Sequence, residues 1–414
     1  MKKILVISYP YFPRHKASSI CLESVLNELV KDYSIDVLTL NDEPYLEESE
    51  SINSIRIFRV KRALRVFNNR LLIRVQEKLN GLLRPLFWMD DGIYWMNRAY
   101  KKSKQLFNDN QYDFIISSSG TFSTQNIAMK LKKKFPCAKW IAYIVDPYPT
   151  NNPRIRNFHF YNAKHLTKEA VKKADGIAIL PNLLVEYSSN YLKLYLDKCA
   201  SIDIPLLTEI SNDKKYKKNK KDLNLIDLVF VGSLSKDIRN PEYLLSLLEN
   251  IVKSNFERRI RFIIYGGQQD CKDIIEKYSE ILGENLIIND HVPREEVLEA
   301  MKKANVLINI GNTSPYMVPS KIFEYMGTGL PIVNIESIDS DSSRPYLDRY
   351  GLSLSIKSDW NNININAEKL YRFCVEHEDS YKSFSEIEKL FIQNTSKHAA
   401  WKIDELMRYT EIKK

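Results

Sequence analysis

Three polar residues, Ser320, Lys321 and Glu324, stand together in the stretch VPSKIFEYMGTGLP at 318–331. Pro319 and Ser320 open this stretch as a short helix, and the glycines at 327 and 329 close it. Glu324 is four residues from Ser320 and three from Lys321, so at helical spacing the side chains share one side of a turn. At about 100° per residue, Glu324 lies about 200° round from Ile322 and off the apolar stripe of Ile322 and Met326. A capping box with Ser320 would need its acid at position 323. Two chemistries fit. One is a solvated Lys–Glu pair, worth about 0.2–0.5 kcal/mol. The other is a carboxylate that accepts two hydrogen bonds from a vicinal diol such as a ribose, with Lys321 and the helix start turned to phosphate. Charge-assisted bonds of that kind contribute roughly 1.5–3 kcal/mol each.

The elements that must hold these residues repeat along the chain. Short apolar runs stand at 4–8, 35–40, 113–118, 140–145 and 176–180, and a second series at 227–232, 261–266, 285–290, 305–310 and 331–335. Helix-length patterns lie between them, as at 18–31, 122–135, 161–174, 240–253, 270–282, 293–303 and 319–327. Continuous apolar runs separated by helices predict parallel sheets covered on both faces. Two such series predict an α/β protein of two Rossmann-like, doubly wound domains. The division expected is 1–207, a basic connection over 208–224, a second domain over 225–392 and a final helical segment over 393–414.

Ligands of open α/β sheets bind at the carboxyl ends of strands, so the strand-to-helix turns of the second half are candidate sites. The first holds Gly232, Lys236 and Arg239; the next holds Gly267; the third holds His291 and Val292; the fourth runs through Tyr316 to Pro319 and Ser320. Glycine permits close backbone approach, helix amino ends offer free N–H groups, and Lys or Arg supplies charge, a combination suited to phosphate. Ordinary turn chemistry is the plainer reading of any one of these loops. In the first half, Asp146 ends the run WIAYIV ahead of a proline. It is either a turn residue or a carboxylate that orients or deprotonates an acceptor hydroxyl, with His15 and His159 as weaker candidates for that role. There is no GxGxxG and no GxxxxGK[ST], which argues against a nicotinamide enzyme and a P-loop.

With 414 residues, 44% hydrophobic and 11% aromatic, the chain suits two globular domains. Its five cysteines are scattered and form no CxxC, so neither a zinc site nor a disulfide framework is expected. No apolar run spans a bilayer, and MKKILVISYP reads as a first strand; a cytoplasmic location follows as the expectation. The net charge of +9 is uneven: residues 56–84 carry nine Arg/Lys against one acid, Glu77, or +8, and KKYKKNKK at 214–221 adds six lysines. Leu64, Phe67, Leu71, Val75 and Leu79 follow helical spacing among these cations, and two tryptophans come after, at 88 and 95. Residues 56–96 therefore suit an anionic membrane surface, or a packed helix with a solvated basic face. No nucleic-acid motif accompanies the charge, so nucleic acid is not an expected partner.

At the turns of the second half the chain resembles the GT-B glycosyltransferases, closest to retaining glycosyltransferase family 4. VGSLSKDIRNPEYLL, YGGQ, DHVPREEVLEAMKKANVLI and VPSKIFEYMGTGLPIV occur in that family's order, the last with the form P-S-K-x-x-E-Y-x-x-x-G-x-P found in bacterial surface-polysaccharide enzymes. ISYPYFP, ISSSGTFSTQNIA and WIAYIVDPYP resemble its acceptor domain more loosely. The resemblance implies two domains facing a cleft, a last helix crossing back to the first domain, and a hexosyltransferase-type reaction. A nucleotide-sugar donor, UDP-sugar favoured over GDP-sugar, would pass its sugar to a saccharide or lipid-linked saccharide at the inner face of the plasma membrane. Glu324 would hold the ribose; Lys321, Ser320 and Arg239 would lie by the diphosphate, and His291 and Val292 by the base. No metal or further cofactor is expected. Two positions depart from the family: Tyr316 stands where a glutamate is common, and Ser233 where an arginine is. An epimerase or hydrolase on the same fold, and a non-catalytic partner protein, are the alternative readings.

Overall fold

The computed structural model describes the chain apart from residues 14–16, 42, 44, 63–89, 91, 120, 147–156, 211–223, 255, 269, 291 and 414, with backbone alone for 157–161. Its contacts divide into two units, Met1–Pro205 with Ser396–Lys414, and Leu206–Thr395. The sequence division had its first boundary at 207 and its last segment from 393. Residues 208–210 of the expected connection pack within the second unit, where the Ile210 N–H donates to the Gly327 carbonyl at 2.9 Å. Residues 211–223 lie outside the described residues.

The first unit runs β1 (Lys3–Ile7), α1 (Ala17–Leu29), β2 (Ser34–Asn41), β3 (Ser49–Ile52), β4 (Ile55–Lys61), α2 (Ile93–Asp109), β5 (Phe114–Ser118), α3 (Phe122–Lys134), β6 (Lys139–Ile144), α4 (Asn157–Lys173), β7 (Gly176–Ile179), α5 (Pro181–Asn190) and β8 (Cys199–Ser201). Its eight-stranded sheet has the order β3-β4-β2-β1-β5-β6-β7-β8, and only the β3–β4 pair is antiparallel. The runs ILVI, FIISS and WIAYI are buried along their whole length. Helices on both faces demand that continuity of apolar residues.

The two ends of the basic segment are placed here. Arg56 and Arg59 belong to strand β4. Arg56 makes paired bonds of 2.7 Å to the buried Asp36, and Arg59, 4% exposed, bonds the Phe12 carbonyl and pairs with Glu50. Trp95 is fully buried in α2, its indole N–H donating to the Thr39 carbonyl. Arg59 and Trp95 are therefore spent on folding, and Arg56, though its side chain is half exposed, has its charge answered by Asp36. Residues 63–89, which carry the helical pattern, lie outside the described residues.

The second unit runs β9 (Leu225–Val231), α6 (Glu242–Lys253), β10 (Arg259–Tyr265), α7 (Lys272–Leu282), β11 (Leu286–Asn289), α8 (Arg294–Lys303), β12 (Val306–Ile310), α9 (Lys321–Gly327), β13 (Ile332–Glu336), α10 (Arg344–Tyr350), β14 (Ser353–Lys357), α11 (Ile363–His377) and α12 (Phe384–Leu390). All neighbours in its sheet are parallel, in the order β11-β10-β9-β12-β13-β14. Counted within the unit this is 3-2-1-4-5-6, so the order reverses between β9 and β12. Chains leaving those two strands turn to opposite faces and open a crevice at their carboxyl ends. A final helix, α13 (Ser396–Ile412), packs back on the first unit against α1 and β6 to β8, burying Ala399, Ile403 and Met407.

Candidate nucleotide-sugar site

Helix α9 follows the β12 strand at the reversal. Ile322, Phe323 and Met326 are fully buried, Tyr325 is 1% exposed and Glu324 2%. Periodicity put Glu324 off the apolar stripe, hence on a possible solvated face. Its residue type is polar, but its place is interior, because this seven-residue helix is buried from Ile322 to Gly327. The surface-pair reading of Lys321 and Glu324 is thereby overturned. Tyr325 fastens the helix to the end of β9: its hydroxyl accepts the Val231 N–H at 2.8 Å and donates to the Val231 carbonyl at 3.3 Å. The helix stops where the backbone of 208 presses on it. A Cβ at Gly327 would meet the Thr208 carbonyl oxygen at 2.0 Å.

An interior carboxylate needs compensation, because burying an unpaired charge costs several kcal/mol, on the order of the desolvation penalty. Among the described residues Glu324 has two partners. Lys321 Nζ lies 2.9 Å from Oε1, and an Arg294 guanidinium nitrogen lies 3.3 Å from Oε2. The carboxylate is 3% exposed, Lys321 26% and Arg294 39%. A buried acceptor thus sits beneath two cations that reach water. Ser320 begins the helix through its backbone carbonyl, to which the Phe323 N–H donates, with no side-chain cap bond.

The turns after β9 and β10 interlock. The Gly232 N–H donates to the Tyr265 carbonyl and the Leu234 N–H to the Gly267 carbonyl, both at 2.9 Å. Gly266 is the position that demands glycine: φ is +133° and a Cβ would meet the Gly232 carbonyl oxygen at 2.3 Å. Arg239 reaches back over this turn, one guanidinium nitrogen 3.6 Å from where a Cβ on Gly232 would stand. Burial pushes the Arg239 guanidinium down from its ordinary value, with the nearby Tyr325 opposing the shift. Its Nε donates to Asn312 Oδ1 at 2.8 Å. Tyr316, Pro319 and Ser320 lie on the segment that follows Asn312, with Pro319 buried and the other two half-buried.

Residues 226–340 match a family of proteins described as glycosyl transferases, group 1. Sucrose-phosphate synthase from Thermosynechococcus elongatus superposes over 100% of both chains with a TM-score of 0.68 at 13% identity. A structure described as trehalose-6-phosphate from E. coli, bound with UDP-2-fluoro glucose, covers 98% of this chain and 99% of its own, with a TM-score of 0.65 at 14% identity. The chain has the GT-B fold of these enzymes. The apo form of the lipopolysaccharide outer core galactosyltransferase WaaB shares the fold as well, covering 99% of both chains with a TM-score of 0.59 at 11% identity. No curated protein matches the chain in a sequence comparison.

The second unit brings Gly232, Arg239, Gly267, Tyr316, Pro319, Ser320, Lys321 and Glu324 to the carboxyl ends of β9, β10 and β12. Val292 is half-buried just before α8, and His291 lies outside the described residues. Asp146 belongs to the first unit, past the end of β6, where its N–H donates to Ser119 Oγ at 3.1 Å. His15 and the side chain of His159 lie outside the described residues. Lys236 pairs with Asp273 at 2.6 Å. Sequence reasoning missed Arg294 and Asn312. Arg294 follows Pro293 at a helix start, where a basic residue is ordinarily solvated, and Asn312 lies in a turn, so neither carries a local signal. Among the described residues no group of His, Cys, Asp or Glu is arranged to hold a metal, and no helix is long and apolar enough to cross a membrane.

Proposed function

We propose that this glycosyltransferase moves a sugar from a nucleoside diphosphate, UDP in preference to GDP, to a hydroxyl of a saccharide, with retention as in family 4. The observation that carries the reading is the buried Glu324 carboxylate beneath Lys321 and Arg294, at the same sheet edge as the desolvated Arg239. The ribose diol replaces part of the Lys321 and Arg294 contacts on Glu324. Lys321 and Arg239 then compensate the diphosphate. The bond from the anomeric carbon to the diphosphate oxygen breaks as the acceptor oxygen bonds to that carbon, and the departing diphosphate oxygen takes the acceptor proton. Fixed cations stabilise the charge that grows on the leaving group. The first unit binds the acceptor, with Asp146 orienting its hydroxyl.

The UDP-2-fluoro glucose held by one structural relative supports a UDP-sugar donor, and the outer core galactosyltransferase supports a surface-glycan or lipid-linked acceptor. Work at the cytoplasmic face of an anionic membrane, through the basic segment within 56–96, belongs to the same proposal. The test is calorimetric titration with UDP and GDP, followed by turnover of UDP-sugars with and without a saccharide acceptor. Binding of UDP and acceptor-dependent transfer are expected. Turnover without acceptor would favour the epimerase or hydrolase reading, and failure to bind either nucleotide the non-catalytic one.

A further inference from the structure

We infer that Asn312 is a positioning residue for the diphosphate: its neutral amide aims Arg239 while leaving the guanidinium charge uncompensated. This rests on the proposed donor site and goes one step beyond it, to what keeps that site's cation available.

Arginines elsewhere in the second unit show the alternative. Arg258 makes paired bonds with Glu378, Arg261 with Asp227 and Arg344 with Glu336, and Arg294 meets Glu324. Each has its charge answered by a carboxylate. Arg239 is half-buried and burial pushes its guanidinium down, yet among the described residues it meets an amide oxygen instead. A guanidinium has five N–H donors and no acceptor. With Nε taken by Asn312, its remaining donors are available to an anion, and the charge is there to be met.

Asn312 is built for the task. It is 2% exposed, at the end of β12, the strand that neighbours β9 across the reversal of strand order. Its Oδ1 takes the Arg239 Nε–H and its Nδ2 donates to the Met317 carbonyl at 2.6 Å. The first partner can only donate and the second can only accept, so the amide has one workable orientation and both ends are used. A carboxylate of the same shape fails twice. It would neutralise Arg239, and it would set an oxygen against the Met317 carbonyl. The neighbouring Thr313 ties the same two turns together independently, its N–H donating to the Ile238 carbonyl at 3.2 Å and its hydroxyl to the Asp237 carbonyl at 2.7 Å. Loop geometry therefore survives a change at 312, and the charge effect can be read separately.

The experiment compares wild type, Asn312→Asp, Asn312→Ser and Arg239→Ala by calorimetric titration with UDP and with UMP, at low and high salt, with circular dichroism and Tm as folding controls. For Asn312→Asp, loss of a charge-assisted contact predicts a roughly ten- to hundredfold rise in the UDP Kd. UMP, which lacks the second phosphate, should change by less than about threefold, since only the diphosphate contact is altered. Asn312→Ser should fall between wild type and the aspartate variant. A merely structural role would weaken both nucleotides together and track Tm. If folded Asn312→Asp and Asn312→Ser bind UDP as wild type does, while Arg239→Ala does not, the inference is overturned and the donor site stands. If Arg239→Ala also binds UDP normally, or wild type binds neither UDP nor GDP, the donor-site reading itself falls and takes the inference with it. Should the aspartate variant fail to fold, the UDP-to-UMP comparison for Asn312→Ser decides alone: equal losses overturn the inference.

Discussion

Replacing Glu324 with glutamine keeps the shape of a buried side chain and removes its charge. In the protein alone this strands two cations that sat 2.9 and 3.3 Å from the carboxylate. Both are partly exposed, 26% and 39% by side chain, so water takes over much of the compensation. Stability should fall by only about 1 kcal/mol. Donor binding should fall further. Two bonds from ribose hydroxyls to a carboxylate, roughly 1.5–3 kcal/mol each, become bonds with a neutral amide at roughly 0.5–1.5 each. The loss of about 2–3 kcal/mol corresponds to a roughly 30- to 150-fold rise in the UDP Kd. Glu324→Ala removes both acceptors and should cost about 3–6 kcal/mol, or roughly 10²- to 10⁴-fold. Calorimetric titration with UDP measures both variants, and circular dichroism confirms that they are folded. A folded glutamine variant that binds UDP within about threefold of wild type would refute the ribose assignment, since no charge-dependent contact would then exist to lose.

Two further outcomes are expected from stability measurements. Gly266→Ala must push its Cβ into a carbonyl oxygen 2.3 Å away at φ +133°, which should destabilise the second unit by about 2–5 kcal/mol in denaturant titration; an unchanged midpoint would mean that the two glycine turns do not meet as described. Asp341 is 4% exposed, and burial pushes its carboxyl above the ordinary range, with Glu336 adding to the shift. The raised value means that its contribution is fully present below the unfolded-state value and is lost as pH rises through the folded one. Asp341→Asn should therefore gain in Tm relative to wild type as pH is raised from 4 to 7; a difference that stays constant with pH would contradict a carboxylate whose burial outweighs its hydrogen bonds.

Much of the architecture was legible because parallel strands buried on both faces must be continuously apolar. The runs at 227–232, 261–266, 305–310 and 331–335 became β9, β10, β12 and β13, and the final helical segment expected over 393–414 became α13 over Ser396–Ile412. Strand β4 was hidden by its own charge. Arg56 and Arg59 read as part of a basic surface, because the sequence does not show that Asp36 and Glu50 stand across from them. The types of the site residues were equally open to sequence reading. Glu324, Lys321, Arg239 and the glycine turns follow from spacing and turn chemistry, since helical periodicity and backbone freedom act over a few neighbouring residues. Their environments were decided only by the tertiary structure. Glu324 lies in the interior because other segments close over a short helix, and Arg294, thirty residues earlier in the chain, supplies its second cation. Asn312 and Arg239 meet across 73 positions because β9 and β12 are neighbours in the sheet. Local sequence specifies which groups a turn can offer; the order of strands determines which distant groups desolvate and compensate one another, and that determines where charge remains for a ligand.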